Sequence, residues 1–67
     1  MVLWFQRGVE TSIVEVRELP GTYELHMVDA DGVETVERID QFMKLRQRVG
    51  QLQQSLAAEG WVRARAL

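Results

Sequence analysis

The hydrophobic periodicity of this chain changes near residue 40, and that change limits the fold more than any other feature. Up to residue 39, apolar and polar residues alternate with a period of two, which is typical of strands with one exposed face. Beyond it, apolar residues recur at spacings of three and four, on one helical stripe: Phe42, Leu45, Val49, Leu52 and Leu56. The pattern predicts a two-layer α+β fold, in which a four-stranded antiparallel meander over 1–39 is followed by one amphipathic C-terminal helix packed on one face.

Turn chemistry divides the first 39 residues into strands. Gly8 ends the first strand. Leu19-Pro20-Gly21-Thr22 fits a type II turn, because proline sets the φ of the first central position and glycine accepts the positive φ of the second. Asp29-Ala30-Asp31-Gly32 fits a type I turn with glycine in the left-handed position. The later strands are predicted at 11–19, 22–28 and 33–39.

Capping signals predict a helix over 40–59. The carboxylate of Asp40 is placed to accept amide hydrogens of the first turn as the N-cap. Gly60 fits the left-handed C′ position, from which Trp61 can pack back on Leu56 in a Schellman motif. The capped tail, 60–67, alternates in polarity, which is compatible with an edge strand, a strand added to a partner, or a frayed end.

The length of 67 residues predicts a single domain, 1–67. A chain of this size buries only about 60% of the surface that its unfolded form exposes, so the core needs a supplement. No cysteine is present to form a disulfide, and the N-terminal apolar run is too short for a signal peptide or a membrane span. We therefore expect a cytoplasmic protein that completes its core by oligomerisation or by docking on a partner.

Charge is distributed unevenly along the chain. Residues 1–40 carry three arginines against nine acidic residues, a net charge of −6, whereas residues 41–67 carry five basic residues against one acidic residue, a net charge of +4. The two parts of the chain therefore carry opposite charge. Such a division can orient one subunit on another, or it can simply reflect two solvated faces.

Few residues are available for catalysis or metal binding. His26 is the single histidine, and we expect it to be a solvent-facing strand residue. Asp29 and Asp31 resemble a calcium loop, but Gly32 follows Asp29 too closely for an EF-hand. The five glycines are scattered, so no phosphate-binding loop is present. We predict a non-enzymatic protein with no catalytic residues, no cofactor and no metal.

Four consecutive apolar residues near the start predict an interface. They are Val2, Leu3, Trp4 and Phe5. Because a strand turns alternate residues to opposite faces, one pair must lie on the face that the single helix leaves uncovered. An exposed apolar patch of this kind usually marks an interaction surface.

The helix carries a second predicted contact. Met43, Gly50 and Ala57 recur at intervals of seven on one flank. A glycine inside a helix costs about 1 kcal/mol relative to alanine. Two explanations remain open, namely close approach of a second subunit or a fit of Gly50 over its own sheet. If the first holds, Gly50→Leu should disrupt assembly.

Basic residues in and after the helix form a candidate contact for an anion or an acidic partner. They are Lys44, Arg46, Arg48, Arg63 and Arg65. The first three lie in the opening turns of the helix, where the macrodipole disfavours cations. These residues can contact phosphate. The interpretation that we prefer is that they pair with the acidic sheet of the same or a neighbouring subunit.

Four strands followed by one helix resemble, in topology, the single-stranded nucleic-acid binders of the PUR-repeat and Whirly families. The resemblance implies a dimeric or paired body that binds DNA or RNA through aromatic and basic residues. Here Trp4, Phe5 and Tyr23 would supply stacking surfaces, and Arg7 and Arg17 phosphate contacts. The acidic strands oppose phosphate binding, so this alternative function is weak, salt-sensitive binding. The leading prediction is a small interaction module that forms a homodimer or docks on a protein partner.

Overall fold

The computed structural model describes residues 1–64, which form one five-stranded antiparallel sheet and one helix. The elements are β1 (Val2–Arg7), β2 (Glu10–Leu19), β3 (Thr22–Val28), β4 (Glu34–Ile39), α1 (Phe42–Ala58) and β5 (Val62–Ala64). The strand order is β4-β3-β2-β1-β5. The predicted α+β fold, a four-stranded meander followed by a C-terminal helix, is confirmed, and a short fifth strand extends it.

The predicted turns are confirmed by their backbone geometry. Gly8 and Gly21 have φ values of 61° and 75°, and each lies in a two-residue connection between paired strands. In the third turn, Gly32 has a φ of 82°. The Asp29 side chain stabilises that turn, since its Oδ1 accepts hydrogen bonds from the backbone N–H groups of Asp31 and Val33, both at 3.0 Å.

The helix begins two residues later than predicted, and Asp40 is not its N-cap. The N-cap is Gln41, and no side chain caps the first turn. Strand pairing explains the difference, because Ile39 is still paired with Tyr23 in the sheet and its carbonyl accepts a hydrogen bond from the Thr22 hydroxyl at 3.1 Å. The chain therefore leaves the sheet only after Ile39, and Asp40 serves as a linker.

The predicted C-terminal cap is confirmed. The N–H of Trp61 donates to the carbonyl of Leu56 at 2.9 Å, and the N–H of Gly60 donates to that of Ala57 at 3.1 Å, which is the Schellman pattern. Gly60 has a φ of 89°. The Arg7 guanidinium lies 4.6 Å above the Trp61 ring and donates to the Glu59 carbonyl at 3.1 Å, so β1 holds the end of the helix.

The core lies between the sheet and the helix. Its buried cluster consists of Leu3, Phe5, Val14, Leu25 and Trp61. Three members of the helical stripe pack on this cluster, namely Val49, Leu52 and Leu56, while Leu45 is itself buried. Phe42 differs, because it is 56% exposed and contacts the ring of Tyr23 with a centroid distance of 6.3 Å.

Two of the residues predicted at an interface are core residues. Leu3 and Phe5 are each 4% exposed and face the helix, so they cannot contribute to a contact surface. Their neighbours Val2 and Trp4 lie on the other face of β1, each 43% exposed. The period of two predicts that the helix covers one pair of these four residues, and the tertiary structure decides that the covered pair is Leu3 and Phe5.

The tail adopts one of the three predicted arrangements. Val62–Ala64 pairs antiparallel with β1 at the edge of the sheet, with Ala64 opposite Trp4 and Val62 opposite Gln6. Arg65, which we predicted as a basic contact, lies outside the described residues.

Candidate interaction surfaces

We call the side of the sheet away from the helix the open face, and an apolar row crosses it. Strand register places Ala64, Trp4, Ile13 and Val28 side by side on four neighbouring strands. Cross-strand neighbours on one face contact one another directly. Trp4 is the largest residue of the row and keeps 43% of its surface exposed. The row is therefore a continuous apolar strip that runs across β5, β1, β2 and β3 on the open face.

Charged residues occupy much of the rest of the open face, alongside the exposed Val2 and Val36, and they pair with one another. Arg17 contacts Glu15 at 2.8 Å, and Arg38 lies 3.8 Å from Glu24 on the neighbouring strand. These pairs are solvent-exposed in part, so each adds little to stability. Their effect on the surface is to balance its charge.

His26 lies at the centre of this charged region and is only 8% exposed. Its Nδ1 is 3.0 Å from Glu34 Oε1, and its Nε2 is 3.1 Å from Glu24 Oε1. The hydrogen bonds to Glu34 and Glu24 raise the pKa of His26 above its ordinary value of 6.5, against the opposing effects of burial and of Arg17. Our expectation of a solvent-facing histidine was therefore wrong: the residue is on the open face but covered by its partners.

The contact with Glu34 was missed at the sequence level. The alternation of β3 places Glu24 on the same face as His26, which a period of two could have indicated. Glu34 comes from β4, and its position depends on the register that follows the Asp29–Gly32 turn, where Val28 pairs with Glu34 and His26 with Val36.

The predicted flank of the helix lies on the opposite side of the sheet from Trp4. Met43 is 62% exposed, and Ala57 is exposed as well. A Cβ atom built on Gly50 would meet nothing within 4 Å. Packing on its own sheet therefore does not require glycine at this position, and the role of this flank in a subunit contact stays a prediction.

The four predicted basic contacts within the described residues do not form one site. Arg48 pairs with Glu37 of β4, its Nε lying 3.0 and 3.2 Å from the two carboxylate oxygens, which confirms for this residue the expected pairing with the acidic sheet. Lys44 lies on the same side of the helix. Arg46 and Arg63 lie on the other side, next to β1 and β5.

The aromatic residues suggested by the nucleic-acid resemblance are dispersed. Phe5 is buried in the core, and Tyr23 contacts Phe42 on the helix side of the sheet. Only Trp4 of the three lies on the open face. The basic residues are also engaged, since Arg7 holds the helix end and Arg17 pairs with Glu15. A continuous stacking and phosphate-binding surface is therefore not assembled from these five residues.

The geometry defines a class of small α+β domain in which one sheet face is covered by a helix and the other carries an apolar row beside paired charges. Within residues 1–64, no three His, Cys, Asp or Glu side chains are grouped so as to hold a metal ion, and no helix in that range is long and apolar enough to cross a membrane. No family model matches this chain, and no curated protein or solved structure shows significant similarity to it.

Proposed function

We propose that this protein is a non-enzymatic interaction module that forms a homodimer through the open face of its sheet. The observation that supports the proposal is the apolar row of Trp4, Ile13 and Val28, in which Trp4 is exposed and Ile13 and Val28 are partly exposed. Contiguous apolar surface is unusual on a monomeric domain and normally marks an interaction site. Burying it would supplement a core that contains only six buried apolar side chains within residues 1–64.

The charge of the open face favours a second copy over a nucleic acid. Its two arginines pair with Glu15 and Glu24, and His26 lies between Glu24 and one further carboxylate, Glu34. A two-fold axis places the same patch opposite itself, so a balanced face avoids repulsion. A phosphate backbone instead needs unpaired positive charge.

The dimensions of the open face also suit a dimer. Five strands spaced about 4.8 Å apart give a width of about 24 Å, and the six or seven residues of β1, β3 and β4 give a length of about 20 Å, with β2 longer and β5 shorter. The flat area of this face is therefore about 480 Å². Side chains that project from the sheet add to its accessible surface, which brings it toward the roughly 600–800 Å² that each partner buries in a stable interface.

The first test is the solution mass, measured by size exclusion with light scattering, alone and with a single-stranded oligonucleotide at low salt. We expect a mass of twice 7.7 kDa and no co-migration with the oligonucleotide. Co-migration that disappears with added salt would favour the nucleic-acid alternative. A stable monomer would refute homodimerisation and leave docking on another protein as the remaining form of the proposal.

A further inference from the structure

A groove separates the helix from β1 and β5, on the side of the sheet opposite the open face. It has a volume of about 480 Å³, within the range of about 300–1,000 Å³ typical of ligand pockets. Leu3 and Leu45 are the buried residues in its lining, and Val49 and Gly50 continue it along the helix. The base of the groove is therefore apolar.

Two arginines line the same groove, Arg46 from the helix and Arg63 from β5. Both are exposed, so their guanidinium groups form its rim. Neither has a carboxylate within ion-pair distance among residues 1–64, whereas Arg7, Arg17, Arg38 and Arg48 each do. An apolar base with positive charge at the rim is complementary to a molecule that has an apolar body and a negatively charged end.

We propose that this groove binds an amphipathic monocarboxylate, such as a medium-chain acyl carboxylate. The acyl chain lies along Leu3, Leu45 and Val49, and the carboxylate accepts hydrogen bonds from Arg46 and Arg63. The groove is open beside Gly50, since nothing lies within 4 Å of a Cβ placed there.

The test is a titration of the full chain with decanoate, followed by the amide NMR signals of the groove. Decyltrimethylammonium, which has the same alkyl chain and the opposite charge, is the matched ligand control. We expect decanoate to shift the signals of Val49 and Gly50 and to bind at least tenfold more tightly than the cation. Equal binding of the two, or shifts confined to the open face, would overturn the proposal.

Charge variants locate the carboxylate. Arg46→Gln and Arg63→Gln should each weaken decanoate binding about threefold, and about tenfold together, because each removes one exposed charge contact. Lys44→Gln removes a charge from the other side of the same helix and should leave the affinity unchanged. If Lys44→Gln has the same effect as Arg46→Gln, the carboxylate responds only to net charge and the assigned site is wrong.

A variant that fills the groove distinguishes ligand binding from packing between two subunits. Gly50→Leu should abolish decanoate binding and leave the solution mass unchanged. If the variant instead dissociates the dimer, the helix flank contacts a second copy and the groove is not a ligand site. Because the mass assay reports on the open-face dimer independently of decanoate, either proposal can fail without the other.

Discussion

Replacing Trp4 by threonine should weaken the proposed dimer by more than it destabilises the subunit. Trp4 is 43% exposed, which leaves about 110 Å² of a side chain of about 250 Å² in contact with solvent. At about 25 cal/mol per Å², burial of that area contributes about 2.7 kcal/mol per copy and about 5 kcal/mol per two-fold dimer. Threonine recovers part of the area, so we expect a loss of about 4 kcal/mol, or about a thousandfold in Kd.

Within the subunit, the same change costs less. About 140 Å² of Trp4 is buried there, partly against its cross-strand neighbours Ile13 and Ala64; at about 25 cal/mol per Å² this is worth up to about 3.5 kcal/mol, of which threonine keeps a part. Threonine keeps the strand propensity of the position. Circular dichroism should therefore report a folded chain at concentrations at which the variant is monomeric.

The assay is sedimentation equilibrium over a range of protein concentrations. Val9→Thr is the matched control, because Val9 is fully exposed at 102% in the β1–β2 turn and its replacement removes apolar surface away from the row. We expect the control to dimerise like the parent chain. A Kd for Trp4→Thr within about tenfold of the parent value, in a folded protein, would refute the open face as the interface.

Three further predictions concern the subunit itself. Because Glu34 and Glu24 raise the pKa of His26, its protonated form stabilises the fold fully below pH 6.5, and that contribution is lost as the pH rises through the raised pKa. The urea concentration at the unfolding midpoint of the parent chain should therefore fall between pH 6 and pH 8 by more than that of His26→Gln. If the midpoints of the two proteins change with pH in parallel, the assigned contacts of His26 are wrong. Gly60→Ala should cost about 1–2 kcal/mol of unfolding free energy, because alanine is strained at a φ of 89°; a neutral result in urea denaturation would show that the cap is dispensable. Gly50→Ala should stabilise the chain by about 0.5–1 kcal/mol in the same assay, since a Cβ there meets nothing, and a loss of stability would indicate close packing at this position.

Local chemistry explains which parts of the fold could be predicted. The turns at Gly21 and Gly32 depend on φ values that glycine adopts without strain, and both are confirmed. The Schellman cap at Gly60 follows from the same property. The helix start could not be predicted from Asp40, because pairing between β4 and β3 competes for the same residues and extends to Ile39.

The candidate surfaces were only partly predictable, because a pattern of alternation does not say which face is covered. The run from Val2 to Phe5 predicted one buried pair and one exposed pair, and helix packing selects Leu3 and Phe5 for the core. The basic residues appeared as one group in sequence, yet the helix turns Arg46 and Arg48 to different sides. Cross-strand register alone brings Glu34 to His26.

By itself, the sequence determined the α+β class, the hairpin turns, the helical stripe and the C-terminal cap, because each depends on contacts within a few neighbouring residues. The tertiary structure decided which face of β1 is buried, where Trp4 meets Ile13, and which charges pair. Those outcomes depend on packing and register between separate elements, and hydrophobic periodicity says which residues share a face but not which face is covered or which side chains meet across it.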